Sequence, residues 1–235
     1  MEKYLNILVD DDFKTFENIE KIRTEIISQN RTIKVIDYGA GNPEDNRTED
    51  EMRDGVPKKI STKELCKIGL KSDFAHLIYA LVKQTKPATI LELGTCCGFS
   101  SIYMSKALHD NNSLIHTIEG SPETAKIAQE NFKKANSSNI ISHVGKFSDT
   151  LPKLLEEITP INFAFIDGHH DKDATLEYFK MIKPYLDKNA LVLFDDISWS
   201  SGMKEVWKII KQDTDIIKYE DFSKLGLCFM QGSIK

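Results

Sequence analysis

The sequence predicts an α/β fold in which a mostly parallel sheet is covered by helices on both faces. From about residue 88 onwards, short apolar runs rich in Ile, Leu, Val and Phe alternate with helix-length segments. This alternation is typical of parallel strands joined by crossover helices. Several apolar runs also end in Asp or Glu, at the edge where open α/β sheets bind their ligands.

The first seventy residues are predicted to form helices and loops that precede the sheet. Apolar residues at steps of three and four over 16–29 predict a helix. Residues 31–39 alternate apolar and polar side chains, which indicates a short strand or an extended arm. The charge-rich stretch 42–55 is predicted to be a loop with little structure. Ser61 and Glu64 form a capping-box pattern that opens a short helix.

Strands and helices then alternate to the end of the chain. A helix is expected over about 73–83, followed by strands at 89–94, 114–119, 139–144, 161–166 and 190–195. Helices are predicted at 99–109, 122–135, 148–157, 173–186 and 202–212. The last apolar runs, 216–222 and 226–232, are too close for a crossover helix, so they predict an antiparallel hairpin at the sheet edge. The expected sheet therefore has seven strands, mostly parallel, with an antiparallel C-terminal strand.

Composition narrows the classes of function. The chain has 235 residues and a net charge of −5, which argues against a nucleic-acid binder that depends on a basic face. No apolar run approaches the ~20 residues that a membrane span needs, and the acidic N-terminus is unlike a secretory signal. Four cysteines without C-x-x-C spacing favour a reduced, cytoplasmic protein.

The most informative segment is residues 90–101, ILELGTCCGFSS. Its apolar run breaks at Glu92, Gly94 and Gly98 before a helical stretch begins. A strand that turns through glycines into a helix points unpaired backbone N–H groups at a ligand. Glu119 ends the next apolar run, 25 residues after Gly94, where a carboxylate can hold both hydroxyls of a ribose. These features predict a site for a nucleoside-containing cofactor.

The glycine pattern favours a cofactor without a diphosphate. A dinucleotide fingerprint has three glycines, whereas Thr95 and Cys96 occupy the tight turn here. Glu92, just before the turn, would repel a diphosphate and attract a cation. S-adenosylmethionine carries a sulfonium and an ammonium and has no phosphate.

Four strings in order, LELGTCCGFSSIYMSKAL, LIHTIEGSPETAKIAQENF, FAFIDGHH and LVLFDDI, resemble the class I S-adenosylmethionine-dependent methyltransferases. The pattern is most similar to the catechol O-methyltransferase type of metal-dependent O-methyltransferase, over about residues 71–232. The resemblance implies a Rossmann-like, doubly wound methyltransferase domain over 71–235. It also implies that the N-terminal segment (residues 1–70) caps the acceptor pocket or makes a dimer contact.

The resemblance implies a cofactor role for the glycine segment and for residues at the following strand ends. Glu92, Gly98 and Ser100 are expected around the methionine part, and Glu119 at the ribose. Lys146 and Phe147 are expected beside the adenine. The full predicted set is Glu92, Gly94, Thr95, Cys96, Gly98, Ser100, Glu119, Gly120, Lys146, Phe147 and Asp167.

Asp167, Asp195 and Asp196 end two further strands and predict a site for Mg²⁺ or a similar divalent cation. Oxygen ligands suit such ions, and the resembled family binds Mg²⁺ at matching positions. A bound cation would lower the pKa of the acceptor hydroxyl and orient its oxygen. The alternative is a metal-free site, because many methyltransferases without metal also carry aspartates at these strand ends.

His170 stands where the resembled pattern has a lysine as general base, and it is the predicted base together with Asp167. A metal-ligand role and a purely structural role stay open for His170. Residues expected near the acceptor are Asp37, Tyr38, Arg47, His169 and Trp199.

The predicted function is S-adenosylmethionine-dependent methyl transfer to a hydroxyl of a small molecule, assisted by a divalent metal. One alternative is a metal-independent N- or carboxyl-methyltransferase on the same fold. Others are an NAD-dependent oxidoreductase, disfavoured by the missing third glycine, and a non-catalytic binding protein. The apolar stripe of the first long helix suggests a homodimer.

Overall fold

A central sheet organises the computed structural model, which describes residues 1–42, 44–108 and 112–231. Its helices are α1 (Glu2–Leu5), α2 (Asp10–Gln29), α3 (Glu49–Asp54), α4 (Thr62–Ile68), α5 (Ser72–Thr85), α6 (Phe99–Ala107), α7 (Pro122–Lys134), α8 (Phe147–Ile158), α9 (Lys172–Ile182) and α10 (Ser201–Ile210). Its strands are β1 (Thr32–Asp37), β2 (Val56–Ser61), β3 (Thr89–Leu93), β4 (Leu114–Glu119), β5 (Ile140–Val144), β6 (Ile161–Ile166), β7 (Leu186–Phe194), β8 (Ile216–Phe222) and β9 (Leu225–Met230).

The predicted seven-stranded sheet is confirmed, with the order β5-β4-β3-β6-β7-β9-β8. Strands β3 to β7 are parallel, and β9 runs antiparallel to both β7 and β8. From β3 the chain moves outward to β4 and β5, then returns to β6 on the other side of β3. This reversal leaves a crevice at the carboxyl ends of β3 and β6, where doubly wound sheets bind ligands.

Two apolar layers bury the two faces of the sheet. One combines α2 and α5–α7 with sheet residues such as Ile90 and Phe163. The other combines α8–α10 with residues such as Leu91 and Phe194. Alternate residues of one strand therefore enter opposite layers, as the two-residue period of a strand requires. Among the described residues, no helix is both long and apolar enough to cross a membrane.

The N-terminal segment is more structured than the sequence predicts. β1 and β2 form an antiparallel hairpin, here called the N-terminal hairpin, in which Thr32 lies opposite Ser61. The prediction of little structure over 42–55 is wrong for α3, which begins at a capping box between Thr48 and Glu51. The capping box predicted at Ser61 and Glu64 is confirmed and opens α4.

Several element ends also differ from the prediction. α2 begins at Asp10 because the Asp12 carboxylate accepts the Val9 N–H and caps the first turn. α9 ends at Ile182 because Pro184 follows in a 3₁₀ turn, and β7 then begins at Leu186 rather than 190. The predicted helix at 99–109 ends at residue 107, and position 109 lies outside the described residues, as does position 232 of the last predicted strand.

The apolar stripe of α2 is buried within its own chain. Phe16, Ile19 and Ile26 are at most 3% exposed and belong to the same apolar layer as α5 and α6. The observation that suggested a dimer contact is therefore explained by intramolecular packing. The homodimer itself stays a prediction.

Candidate active site

A cavity of about 800 Å³ opens at the carboxyl ends of the parallel strands. Its floor comes from the segments that follow β3, β4, β6 and β7, and the N-terminal segment forms part of its wall. The wall includes Ile36 and Lys58 of the N-terminal hairpin and Met52 of α3. A volume of this size suits a small-molecule or cofactor site.

The loop after β3, residues 94–98, is called the glycine loop here, and it requires glycine at its first position. Gly94 has φ +102°, and a Cβ there would lie 1.9 Å from the carbonyl oxygen of Asp167. The N–H groups of Gly94 and Thr95 both donate to the carbonyl of Ile118, at 3.0 and 3.2 Å. These contacts draw together the glycine loop, the end of β4 and the segment that follows β6.

Glu119, the predicted ribose ligand, ends β4 and lines the cavity. Its carboxylate accepts the backbone N–H of Cys96 and that of Ser121, both at 2.9 Å. Burial raises the pKa of Glu119 to about 7, against the lowering effect of these two hydrogen bonds. Its two oxygens are thus held at fixed positions beside the glycine loop.

Four of the predicted cofactor residues lie behind the cavity wall. Glu92 is fully buried, and burial raises its pKa. Its carboxylate accepts the Ser100 hydroxyl at 2.5 Å and also the Ser101 hydroxyl. The Ser100 hydroxyl thus bonds a buried carboxylate at the start of α6, and Ser100 is not among the cavity-lining residues. Thr95 and Gly98 are likewise not among the cavity-lining residues.

The other predicted cofactor residues line the cavity: Gly94, Cys96, Glu119, Gly120, Lys146, Phe147 and Asp167. The Phe147 ring packs on Gly168, where a Cβ would lie 2.7 Å from the ring. The same ring meets Tyr178 edge to face at 5.4 Å between centroids. Two aromatic rings therefore form the wall beside the loop that follows β5.

Tyr38 lies at the end of the cavity nearest Glu119. A Cβ at Gly120 would lie 2.5 Å from the Tyr38 ring, and the Lys146 ammonium is 5.8 Å from the ring centroid. The sequence predicted Tyr38 near the acceptor, whereas it packs beside two predicted cofactor residues. Asp37 and Trp199 also line the cavity.

Arg47 is not a cavity residue. Its side chain is only 8% exposed, and it donates to the carbonyls of Asp37 and Gly39 and to the Asp37 carboxylate. These bonds hold the turn that follows β1. Within that turn, Ala40 N–H donates to the carbonyl of His169 at 2.7 Å, which joins the N-terminal segment to the loop after β6.

Asp167, Asp195 and Asp196, called the acidic cluster here, meet at the ends of β6 and β7, as the sequence predicts. Burial and the neighbouring Asp195 carboxylate raise the pKa of Asp167 well above its usual value. Asp196 has φ +53°, and its N–H donates to Asp195 at 2.8 Å. The acidic cluster faces the same cavity as Glu119.

The ammonium of Lys224 lies among the carboxylates of the acidic cluster. The sequence did not predict this residue as part of the site. Its Nζ lies 2.7 Å from each Asp195 carboxylate oxygen and 3.0 Å from Asp196 Oδ1. Burial lowers the pKa of Lys224, but the carboxylates of the acidic cluster raise it by more, so the side chain stays an ammonium.

The residues present do not fit a divalent cation as they are arranged. Mg²⁺ requires oxygens at about 2.1 Å in near-octahedral geometry, and the ammonium of Lys224 already bonds both oxygens of Asp195. Within the described ranges, no three His, Cys, Asp or Glu side chains form a group that could hold a metal ion.

His170 lies beside the acidic cluster, with Nε2 3.7 Å from Asp167 Oδ1 and 3.9 Å from Asp196 Oδ2. Both His169 and His170 line the cavity and have positive φ, +70° and +47°. His169 Nδ1 is 2.9 Å from the Tyr178 hydroxyl, and burial lowers the pKa of His169. His170 is therefore the histidine with access to the carboxylates.

Comparison with known proteins supports the resemblance found in the motifs. Residues 91–197 match the family described as "Methyltransferase domain". The catechol O-methyltransferase of Niastella koreensis is 34% identical over 132 residues, which are 55% of this chain and 58% of that protein. That of Mycobacterium tuberculosis is 26% identical over 60% of this chain and 62% of that protein. The match thus spans about three fifths of these relatives' length.

Solved structures show the same fold. An O-methyltransferase from Bacillus cereus, in complex with SAH, superposes with a TM-score of 0.61 at 20% identity, over 71% of this chain and 84% of that one. A methyltransferase from Geobacter sulfurreducens gives 0.59 at 16% identity, over 69% and 81%. The similarity to the catechol O-methyltransferase type and the Rossmann-like fold are therefore both confirmed.

Proposed function

We propose that this protein is an S-adenosylmethionine-dependent O-methyltransferase that methylates a hydroxyl of a small molecule. The observation that carries the proposal is Glu119, a carboxylate fixed by two backbone N–H groups at the end of β4 and facing a cavity. The similarity to catechol O-methyltransferases supports the reaction class.

The residues around Glu119 fit a nucleoside-containing methyl donor. Glu119 has lone pairs left for two ribose hydroxyls, and Tyr38 and Phe147 add aromatic surfaces to the same cavity. The acidic lining suits a ligand that carries a sulfonium and an ammonium. When bound, this donor supplies an electrophilic methyl group, and its C–S bond breaks as the new C–O bond forms.

In this proposal the protein contributes positioning and proton transfer. His170 accepts the proton of the acceptor hydroxyl, and the Asp196 carboxylate, with Oδ2 3.9 Å from His170 Nε2, stabilises the resulting imidazolium. The cavity would hold the acceptor hydroxyl beside the bound donor, and such positioning is the larger part of the rate gain in a transfer of this kind. Trp199 forms part of the acceptor wall.

A second candidate is a metal-independent N- or carboxyl-methyltransferase. The observation that favours it is Lys224, whose ammonium bonds both oxygens of Asp195, one of the predicted metal ligands. Either candidate uses the same donor site, and the acceptor distinguishes them. Neither candidate function requires the predicted Mg²⁺, the cytoplasmic location or the homodimer. These three stay predictions.

Calorimetric titration with S-adenosylhomocysteine tests the donor site. We expect micromolar binding, and we expect Glu119→Ala to weaken it at least tenfold because the ribose loses its acceptor. Glu123→Ala, at an exposed glutamate on α7, is the matched control and should bind as the wild type does. No binding by the wild type would overturn the proposal.

A radiolabelled methyl-transfer assay then tests the acceptor. A panel of phenols, alcohols, amines and carboxylates should give transfer to a hydroxyl compound. Transfer to amines or carboxylates alone would favour the second candidate.

A further inference from the structure

We propose that the ammonium of Lys224 is the resident cation of the acidic cluster and takes the place of a divalent metal ion. The inference concerns the same site as the proposed function, and its consequence for the acceptor rests on that function.

The position of Lys224 is fixed by its backbone as well as by its charge. It lies in the turn that joins β8 to β9, and its N–H donates to the carbonyl of Phe222 at 2.8 Å. Its carbonyl accepts the N–H of Ile197, the residue after the acidic pair, at 3.0 Å. The turn is thereby fastened to the loop that follows β7.

The residue that precedes Lys224 in this turn has an uncommon backbone conformation. Ser223 has φ +67°, a region that costs a residue other than glycine on the order of 1–3 kcal/mol. The Ser223 N–H donates to Asp221 Oδ1 at 3.1 Å, which supports the turn from β8. A strained residue beside a ligand-facing side chain is the pattern expected of a functional turn.

Three oxygens of the acidic cluster are already bonded to Lys224. Both Asp195 oxygens are at hydrogen-bonding distance from Nζ, and so is Asp196 Oδ1. A divalent ion on these oxygens would lie against Nζ, and two cations would then compete for the same ligands. Because the Asp195 side chain is only 4% exposed, it has no room to bind both.

The ammonium can also act on an acceptor. Equal distances to the two Asp195 oxygens allow one N–H to be shared between them, so that a second reaches Asp196. The third can face the cavity, which Lys224 lines with a side chain that is 32% exposed. If the proposed function holds, this N–H binds the acceptor oxygen, and methyl transfer requires no divalent metal.

Titration with Mn²⁺ alone tests the inference without any methyl donor. The concentration of free Mn²⁺ is measured by electron paramagnetic resonance. We expect no binding by the wild type below millimolar Mn²⁺. Lys224→Met keeps the length of the side chain and removes its charge, so it should expose the carboxylates and bind Mn²⁺ at least tenfold more tightly. Lys188→Met, at an exposed lysine near the start of β7, is the matched control and should behave as the wild type.

Two results would overturn the inference. One is binding of Mn²⁺ by the wild type as tightly as by Lys224→Met. The other is a folded Lys224→Met that gains no Mn²⁺ binding, since the acidic cluster would then not be a cation site that lysine fills. Lys224→Gln serves as the second variant if Lys224→Met does not fold.

The result of the Mn²⁺ titration does not depend on the proposed function. Failure to bind S-adenosylhomocysteine would contradict the methyltransferase proposal and leave the Mn²⁺ result standing. Where turnover is found, it should be unchanged by excess EDTA.

Discussion

The pKa of Glu119 links donor binding to pH. A ribose hydroxyl donates best to the ionised carboxylate, and the raised pKa of about 7 leaves much of Glu119 protonated below neutrality. We therefore expect the affinity for S-adenosylhomocysteine to rise about tenfold from pH 6 to pH 8, as the fraction ionised rises. Calorimetric titrations across this range measure the change.

Glu119→Gln is the control for this pH dependence, because a glutamine has no proton to lose. Its affinity, lower than that of the wild type, should stay flat between pH 6 and pH 8. The unliganded protein shows the opposite trend in stability: the folded pKa exceeds the unfolded one, so this carboxyl's contribution falls as pH rises from about 4.5 to about 7. A wild-type affinity that is independent of pH would contradict the assignment of Glu119 as the ribose ligand.

Gly94 is the backbone position where substitution should be most costly. An alanine there would place Cβ 1.9 Å from the Asp167 carbonyl oxygen at φ +102°, so the segments after β3 and β6 would have to separate. We expect Gly94→Ala to lower the free energy of unfolding by at least about 3 kcal/mol, measured by urea denaturation.

Gly69→Ala is the matched comparison. Gly69 has φ −63°, and its added Cβ would meet only the Arg23 guanidinium at 3.6 Å, an ordinary contact. We expect a change within about 0.5 kcal/mol, or a small gain in stability. Equal effects of the two substitutions would show that the close approach at Gly94 is not what constrains the glycine loop.

At the scale of elements, Arg23 connects three helices. Its guanidinium donates to the carbonyls of Cys66 at 3.0 Å and Leu70 at 2.6 Å, around the end of α4. It also lies 4.0 Å from the centroid of Phe99, the first residue of α6 after the glycine loop. The arginine on α2 therefore supplies the hydrogen bonds that two buried carbonyls would otherwise lack.

Arg23→Met should destabilise the protein by about 3 kcal/mol, because each carbonyl left without a donor costs about 1–3 kcal/mol. For a chain of this length that corresponds to a fall in Tm of roughly 6–12 °C. Lys21→Met, at an exposed position of the same helix, should leave Tm nearly unchanged. A fall of less than 2 °C for Arg23→Met would mean that water or a rearranged side chain replaces the guanidinium.

The strands of the parallel sheet were predictable because each contains a short run in which apolar residues predominate. β3, β4 and β6 lie within one residue of their predicted bounds. The N-terminal hairpin was not predictable, because β2 has no buried residue and is a strand only through its pairing with β1. The pattern of apolar residues in a sequence predicts a strand mainly because those residues are buried. A strand that is exposed along most of one face has few of them and is hard to predict.

At the scale of the whole molecule, part of the candidate site could likewise be predicted from the sequence and part could not. Glu119 and the acidic cluster were predictable, because strand ends in a doubly wound sheet meet at one edge. The role of Ser100 at the methionine part comes from the resemblance and stays a prediction; its hydroxyl donates to the buried Glu92. Lys224 could not be found from spacing, because it reaches Asp195 only when the last hairpin folds back against β7.

The N-terminal segment, although predicted as a separate extension, should unfold together with the sheet. Phe16 and Ile26 of α2 lie in the same apolar layer as Ile90 and Phe163, so exposing either set exposes the other. A shared core implies one cooperative transition rather than two.

Native-state hydrogen exchange with NMR detection measures this cooperativity: the amides of α2 should exchange with the same opening free energy as those of β3 and β6. The amides of α3, a six-residue helix with no buried residue, serve as the internal comparison and should exchange through local opening at a much lower free energy. If the α2 amides exchanged as easily as those of α3, or if heating gave two calorimetric transitions, residues 1–70 would be an appended unit, and the cavity wall that they form would open without unfolding the sheet.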